Sequence, residues 1–314
     1  MNHYKIDYWE VLNEIELEHA MTPQTYTRVY GAVVEAIRKV DPQIKFVGLA
    51  LVGTSPNAGL GADPLVLFEY FFDHRNHKPG IPLDMISYHC YVTPTPDQTT
   101  EIEQYTFFDQ ADDFLNSVRY IESIRQRLSP DTRTALNEIG SISAEDFNQG
   151  SPGYVFKPIP ASYWNLRGAV YAYLYAPLAR LGIDVAGESQ LVGYPSQFPS
   201  VSMVDWETGQ PNSRFWVLKL LRDNFGPRDK LVGTSVSGPH VFAQAFITRE
   251  GQRKVLLVNK RNRLFQVSLS GASGGKAEYV DQTTAFQPPA SRKLTGDQLP
   301  LAGFAVAVVT LPEA

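Results

Sequence analysis

Residues 1–227 predict an α/β domain built on a parallel sheet, and residues 228–314 predict an antiparallel β-sandwich. Three observations carry that reading. Short apolar runs alternate with longer helical patterns five times in succession. The predicted strands end near residues 14, 52, 91, 138 and 188, at intervals that suit strand–helix units with a loop after each strand. Past Pro227 the helical stripes stop, and short strands follow one another between turn-forming segments.

The first strand runs from Ile6 to Leu12 and ends at Asn13-Glu14. Thr22-Pro23 then supplies a helix cap followed by proline at the first helical position. Tyr26, Tyr30, Val33, Ile37 and Val40 fall on one face of that helix, and Asp41-Pro42 stops it. Lys45 to Val52 reads as the second strand, and Asp63-Pro64 opens a helix reaching about Asn76. Asp84 to Tyr91 is the third strand. Phe114, Val118, Ile121, Ile124 and Leu128 make the next helical stripe, and Thr134 to Glu138 a fourth strand. Ser162 to Leu181 is a long apolar helix with Pro177 inside it, Ile183 to Ser189 a fifth strand, and Asn212 to Phe225 a fifth helix. Five such units leave two architectures open, a doubly wound sheet and part of a (β/α)8 barrel. No glycine-rich phosphate loop follows the first strand, which weakens the nucleotide-binding form of the former. Beyond Pro227, strands are expected over 240–248, 254–259, 264–269, 277–281 and 304–311.

Composition narrows the function. The 314 residues are 43% hydrophobic and 19% charged, an ordinary globular balance. The single cysteine, Cys90, excludes a disulfide scaffold within the chain and any multi-cysteine zinc site. A net charge of −5 gives no general attraction to nucleic acid or anionic membranes. No apolar run approaches membrane-spanning length, and Met1 to Trp9 lacks the pattern of a signal peptide. Six scattered histidines and the absence of His-Glu-x-x-His or Cys-x-x-Cys argue against a dedicated metal site. No cofactor is expected.

Acids at strand ends are the informative feature. Glu14 closes the first strand and Glu138 the fourth. In parallel α/β folds that end of the sheet carries the active site. Two carboxylates from different strands suit glycoside hydrolysis, in which one protonates the leaving oxygen and the other attacks the sugar or activates water. His89 and Tyr91 share one face of the third strand, placed to hold a hydroxyl or orient a carboxylate, while Cys90 points the other way as apolar filler. Glu188 ends the fifth strand as a third acid, for binding hydroxyls or pairing with a cation. Trp164, Trp206 and Tyr194 offer aromatic faces for sugar stacking or packing. Glu10, Glu16 and Glu18 read as solvated or paired.

These residues resemble a known group. Trp9-Glu-Val-Leu-Asn-Glu14, Tyr88-His-Cys-Tyr91 and Leu136-Asn-Glu-Ile-Gly140 are similar to the ends of strands four, six and seven in clan A glycoside hydrolases. Family 39, which holds β-xylosidases and α-L-iduronidases, is the nearest fit. Phe198 to Leu218 resembles that clan's segment leading into the last barrel helix. The resemblance implies an incomplete (β/α)8 TIM barrel holding strands four to eight, with the first three units absent. It implies a retaining mechanism with Glu14 as acid/base and Glu138 as nucleophile. Asn13 is then expected to hold the sugar 2-hydroxyl, and His89 or Tyr91 to bond around Glu138. Asn137 departs from the clan pattern, where a β-branched residue often precedes the nucleophile.

The expected partner is a carbohydrate, with a homo-oligomer expected to cover exposed barrel edges. The sequence leaves the compartment open; a secreted or periplasmic location would suit a full-length parent, whose export signal would have preceded Met1. The competing expectation is a carbohydrate-binding or assembly protein on a degenerate barrel, without turnover.

Overall fold

The computed structural model describes residues 5–52, 64–95, 98, 100–148, 155, 159–192 and 198–313. The start of the predicted helix at Asp63 and the aromatic Tyr194 lie outside the described residues. Packing divides the chain into two compact units. The first takes residues 1–91, 112–139 and 181–187, and the second takes 92–111, 140–180 and 188–314.

The five predicted strands form one sheet in sequence order: β1 (Tyr8–Glu10), β2 (Lys45–Leu51), β3 (Met85–Val92), β4 (Arg133–Ser141) and β5 (Val185–Glu188). It is a half-barrel of five parallel strands, with α1 (Pro23–Arg38), α2 (Pro64–Phe72), α3 (Thr100–Leu128) and α4 (Ala161–Leu181) in the connections. β1 and β2 pair in parallel with Tyr8 opposite Lys45, and β2 and β3 with Val47 opposite Met85. β2 and β3 are buried along nearly their whole length, as strands covered on both faces must be.

Local chemistry explains the boundaries. Thr22 caps α1 by accepting the Thr25 amide at 3.2 Å, with Pro23 in the first turn. The helix buries Tyr26, Tyr30 and Val34. Val40, expected on that face, lies beyond the helix end and is 87% exposed. β1 is shorter than expected because the chain bends away after Glu10, with Leu12 and Glu14 both at positive φ. α3 begins well before the predicted stripe, since Phe107, Phe108 and Ala111 already bury the same helix. α2 ends at Phe72, where Asp73 caps a separate 3-10 turn over His74–Asn76.

Gly48 of β2 is required by close approach. An added Cβ would sit 2.6 Å from Cζ of buried Phe71 and 3.2 Å from Tyr30. Gly48→Ala is therefore expected to destabilise the chain by about 1–3 kcal/mol, read from its urea unfolding midpoint.

In the second unit, α5 (Ser213–Asn224) is capped by Asn212, whose side chain accepts the Arg214 amide at 3.0 Å. A six-stranded sheet follows in the order β11-β10-β13-β8-β7-β6. Its strands are β6 (Lys230–Val232), β7 (Val241–Ile247), β8 (Arg253–Asn259), β10 (Lys276–Val280), β11 (Ala290–Lys293) and β13 (Val306–Thr310). A two-stranded ribbon of β9 (Phe265–Ser268) and β12 (Gln298–Leu301) accompanies it. Every neighbouring pair of strands in both sheets is antiparallel. Val255, Leu257, Ala277, Leu299, Leu301 and Val309 contribute to their shared core. The sequence reading missed β6, β11 and β12. Two of them lack an apolar run, and Pro300 argues against a strand except at an edge, which is where β12 runs.

Candidate active site

The predicted pair of acids meets at one end of the half-barrel. His89 of β3 lies between them, with a fully buried side chain. Its Nδ1 hydrogen-bonds Glu14 Oε1 at 3.0 Å and lies 3.6 Å from Glu138 Oε2. Tyr91, two residues further along β3, donates its hydroxyl to Glu138 Oε2 at 2.5 Å. One oxygen of Glu14, the His89 nitrogen and one oxygen of Glu138 all lie within 4.8 Å of one another. The Glu14 and Glu138 side chains remain 15% and 32% exposed, so both retain access to solvent.

The backbone that presents Glu14 is strained. Leu12 and Glu14 after β1, and Leu49 and Ala50 in β2, all have positive φ without being glycine. Each such residue costs on the order of 1 kcal/mol, so surrounding contacts must hold it. The Glu14 amide donates to the Ala50 carbonyl at 2.9 Å, and the Val11 amide to the Val47 carbonyl at 3.0 Å. Register shifts between Leu49 and Leu51, a bulge that re-aims the strand end.

Tyr26 of α1 clamps both distorted segments. Its fully buried hydroxyl donates to the Val11 carbonyl at 3.0 Å and accepts the Leu49 amide at 2.7 Å. Tyr26→Phe strands both backbone groups in the core. It is expected to cost about 1–3 kcal/mol in urea unfolding, with loss of hydrogen-exchange protection at the Leu49 amide.

A second layer lies beneath the first. Glu10 of β1 receives hydrogen bonds from the Ser87 hydroxyl of β3 and from Asn137 Nδ2 of β4, the latter at 3.0 Å. The sequence reading of Glu10 as solvated or paired resolves to paired, and partly buried. Asn137, the departure from the clan pattern, uses its amide on Glu10. Gly187 of β5 lets the sheet close up here, since a Cβ on it would sit 3.1 Å from the Asn137 carbonyl oxygen.

Electrostatics follow from this crowding. Burial pushes the Glu10 pKa up, and the Ser87 bond, the His89 charge and the Asn137 bond only partly oppose it. Burial alone would lower the His89 pKa. The hydrogen bond to Glu14 and the charges of Glu138, Glu14 and Glu10 outweigh it and raise the value above 6.5. Cys90 is buried and its thiol is pushed up to about 12 by burial, in keeping with a filler role.

The remaining predicted site residues have surroundings of their own. Asn13 donates its amide to Glu18 at 3.1 Å on the exposed side of the loop. Glu188 belongs to the second unit, where its 1%-exposed side chain faces Arg214 Nε at 3.3 Å. Trp164, also of that unit, is buried beside Tyr163 and Arg167. Trp206 is half exposed. Glu188 and Trp164 thus sit in charge pairing and packing. Glu10, Ser87 and Tyr26 were not singled out from sequence for this site, and Asn137 only as a departure from the clan pattern. The two-residue alternation that linked His89 to Tyr91 also reaches Ser87, while nothing in the helical stripe distinguishes Tyr26 from a core tyrosine.

No described helix is long and apolar enough to cross a membrane.

Comparison with known proteins bears on the fold and on one domain. Residues 239–309 match the family of D-apionate lactonase C-terminal immunoglobulin-like domains. A search of curated proteins found no match. Among solved structures, the family 51 arabinofuranosidase from Xanthomonas axonopodis pv. citri aligns with a TM-score of 0.68 at 13% identity. The alignment covers 98% of this chain and 67% of that one. A family 51 α-L-arabinofuranosidase from Bifidobacterium longum gives 0.68 at 13%, covering 97% and 67%. A family 44 endoglucanase from Clostridium acetobutylium gives 0.65 at 15%, covering 98% and 66%. The chain spans about two thirds of the length of these structures and shares the fold of the part it aligns with, a partial barrel followed by an antiparallel sheet domain.

Proposed function

We propose that the chain carries the catalytic centre of a retaining glycoside hydrolase, with Glu138 as nucleophile and Glu14 as acid/base. One observation carries this reading: two carboxylates, one in the loop after β1 and one on β4 of the half-barrel, approach within 4.8 Å. Retaining enzymes hold their carboxyl groups only ~5–5.5 Å apart, whereas inverting ones leave ~6.5–9.5 Å for a water.

In the first step Glu138 attacks the anomeric carbon while Glu14 gives its proton to the departing glycosidic oxygen. That breaks the glycosidic bond and leaves a covalent glycosyl-enzyme ester. In the second, Glu14 takes a proton from water, the water oxygen attacks the same carbon, and Glu138 leaves as carboxylate. Tyr91 holds one oxygen of Glu138, leaving the other for attack. His89 links the two acids. The likeness to family 39, resting on the three strand-end motifs, belongs to this reading. So does the assignment of the strands as four to eight, with the edges of β1 and β5, unpaired among the described strands, covered by a second copy.

The match of residues 239–309 favours a second reading, hydrolysis of a sugar lactone. The same centre suits it, one group activating water against the ester carbonyl and another protonating the ring oxygen that leaves.

A panel of aryl glycosides, read by released phenol, and of aldonolactones, read by proton release, separates the two. The first reading expects phenol release, unchanged after EDTA treatment because the acids work without metal. Lactone turnover alone would transfer the centre to the second reading. Sugar binding without either reaction would leave a carbohydrate-binding protein.

A further inference from the structure

Glu10 lies one layer below the candidate catalytic groups and touches neither acid by hydrogen bond. Its carboxyl nevertheless joins three strands. Ser87 stands two residues before His89 on the same face of β3, and Asn137 stands immediately before Glu138 on β4. Both donate to Glu10, which itself stands four residues before Glu14. We infer that Glu10 is a positioning residue for the proposed reaction: its bridge between Ser87 and Asn137 fixes the β3 and β4 backbones that present His89 and Glu138. This inference rests on the proposed reading for its effect on rate, while its effect on His89 is independent of that reading.

Two properties support the assignment. Holding a carboxyl in a partly buried place costs energy unless its oxygens are bonded, and each oxygen has a donor here. The charged or titratable groups around Glu10 are His89 on β3, Glu138 on β4 and the Tyr26 phenol on α1. Glu10 is among the charges that raise the His89 pKa, so it couples to the centre through space as well as through the strands.

Geometry and charge separate in two variants. Glu10→Gln keeps a bridge, because its carbonyl accepts from Ser87. Its amide can donate to Asn137 Oδ1, a buried oxygen without a hydrogen-bond partner, once the Asn137 amide turns over. Glu10→Ala removes bridge and charge together. The test measures kcat and KM on the best substrate of the panel, and the His89 titration by 15N NMR.

Glu10→Ala is expected to lower kcat about 100-fold with KM within about threefold, the signature of a displaced reacting group. Glu10→Gln is expected to restore most of that loss. The His89 midpoint is expected to fall in both variants, since both remove the negative charge. A wild-type kcat in Glu10→Ala, or a wild-type His89 midpoint in both variants, overturns the inference. If the wild-type chain turns over nothing, the proposed reaction fails and the His89 midpoints still decide whether Glu10 is coupled to the centre.

Discussion

Glu138→Gln is expected to lower kcat by about 10^4-fold or more on glycosides with good and poor leaving groups alike, with the unfolding midpoint unchanged. The substitution is isosteric, so no cavity forms, and its carbonyl still accepts from Tyr91. What disappears is the carboxylate that would form the ester to the sugar. Glu14→Gln should behave differently. A good phenol leaving group needs little protonation, so the first step on activated substrates is expected to survive far better than on unactivated ones. A Glu138→Gln variant that kept wild-type rates would remove Glu138 from the reaction, and equal losses across leaving groups in Glu14→Gln would remove the acid role from Glu14.

The second large effect is on stability. Arg214→Ala is expected to cost about 3–5 kcal/mol in chemical unfolding. Arg214 and Glu188 are each 1% exposed and face one another at 3.3 Å. The guanidinium also donates to the carbonyls of Val201 and Ser189, so its loss leaves a buried acid and two carbonyls without this donor. Arg214→Lys is expected to recover little, because an ammonium cannot spread its donors over three acceptors in the same plane.

Burial pushes Glu188 up to about 7 from its ordinary 4.5, with Arg214 opposing the rise. The folded state therefore holds this proton more tightly than the unfolded one. Its contribution is greatest below about 4.5 and is lost as pH rises to about 7. A Glu188→Gln variant is expected to lack that loss in unfolding curves taken across this interval. Equal pH slopes in variant and wild type would contradict it.

The order of strands and helices in the half-barrel was legible because each helix signals itself in several ways. Thr22-Pro23 starts α1 and the tyrosine spacing gives its inner face. β2 and β3 are continuous apolar runs between turns. The acids were legible because they fall where the sequence predicts strands to end, although Glu14 lies in the loop after β1 and β4 runs on past Glu138 to Ser141. Glu10 looked like the other acids near it, Glu16 and Glu18, since nothing local to β1 reveals donors 77 and 127 residues away. Glu188 read like Glu14 in sequence, and only its distant partner Arg214 distinguishes it. The short strands β6 and β11 were invisible for a related reason: cross-strand pairing within the antiparallel sheet stabilises them, and their own residues do not.

The central claim, that Glu138 attacks sugar from across a gap that Glu14 closes, is tested most directly by trapping. The chain is incubated with an activated 2-deoxy-2-fluoro glycoside of the sugar the panel selects, digested, and its peptides weighed. The account predicts one added glycosyl group on the peptide carrying Glu138, and none in Glu138→Gln. Hydrolysis of the parent glycoside with inverted anomeric configuration, or a label on any other residue, would contradict it.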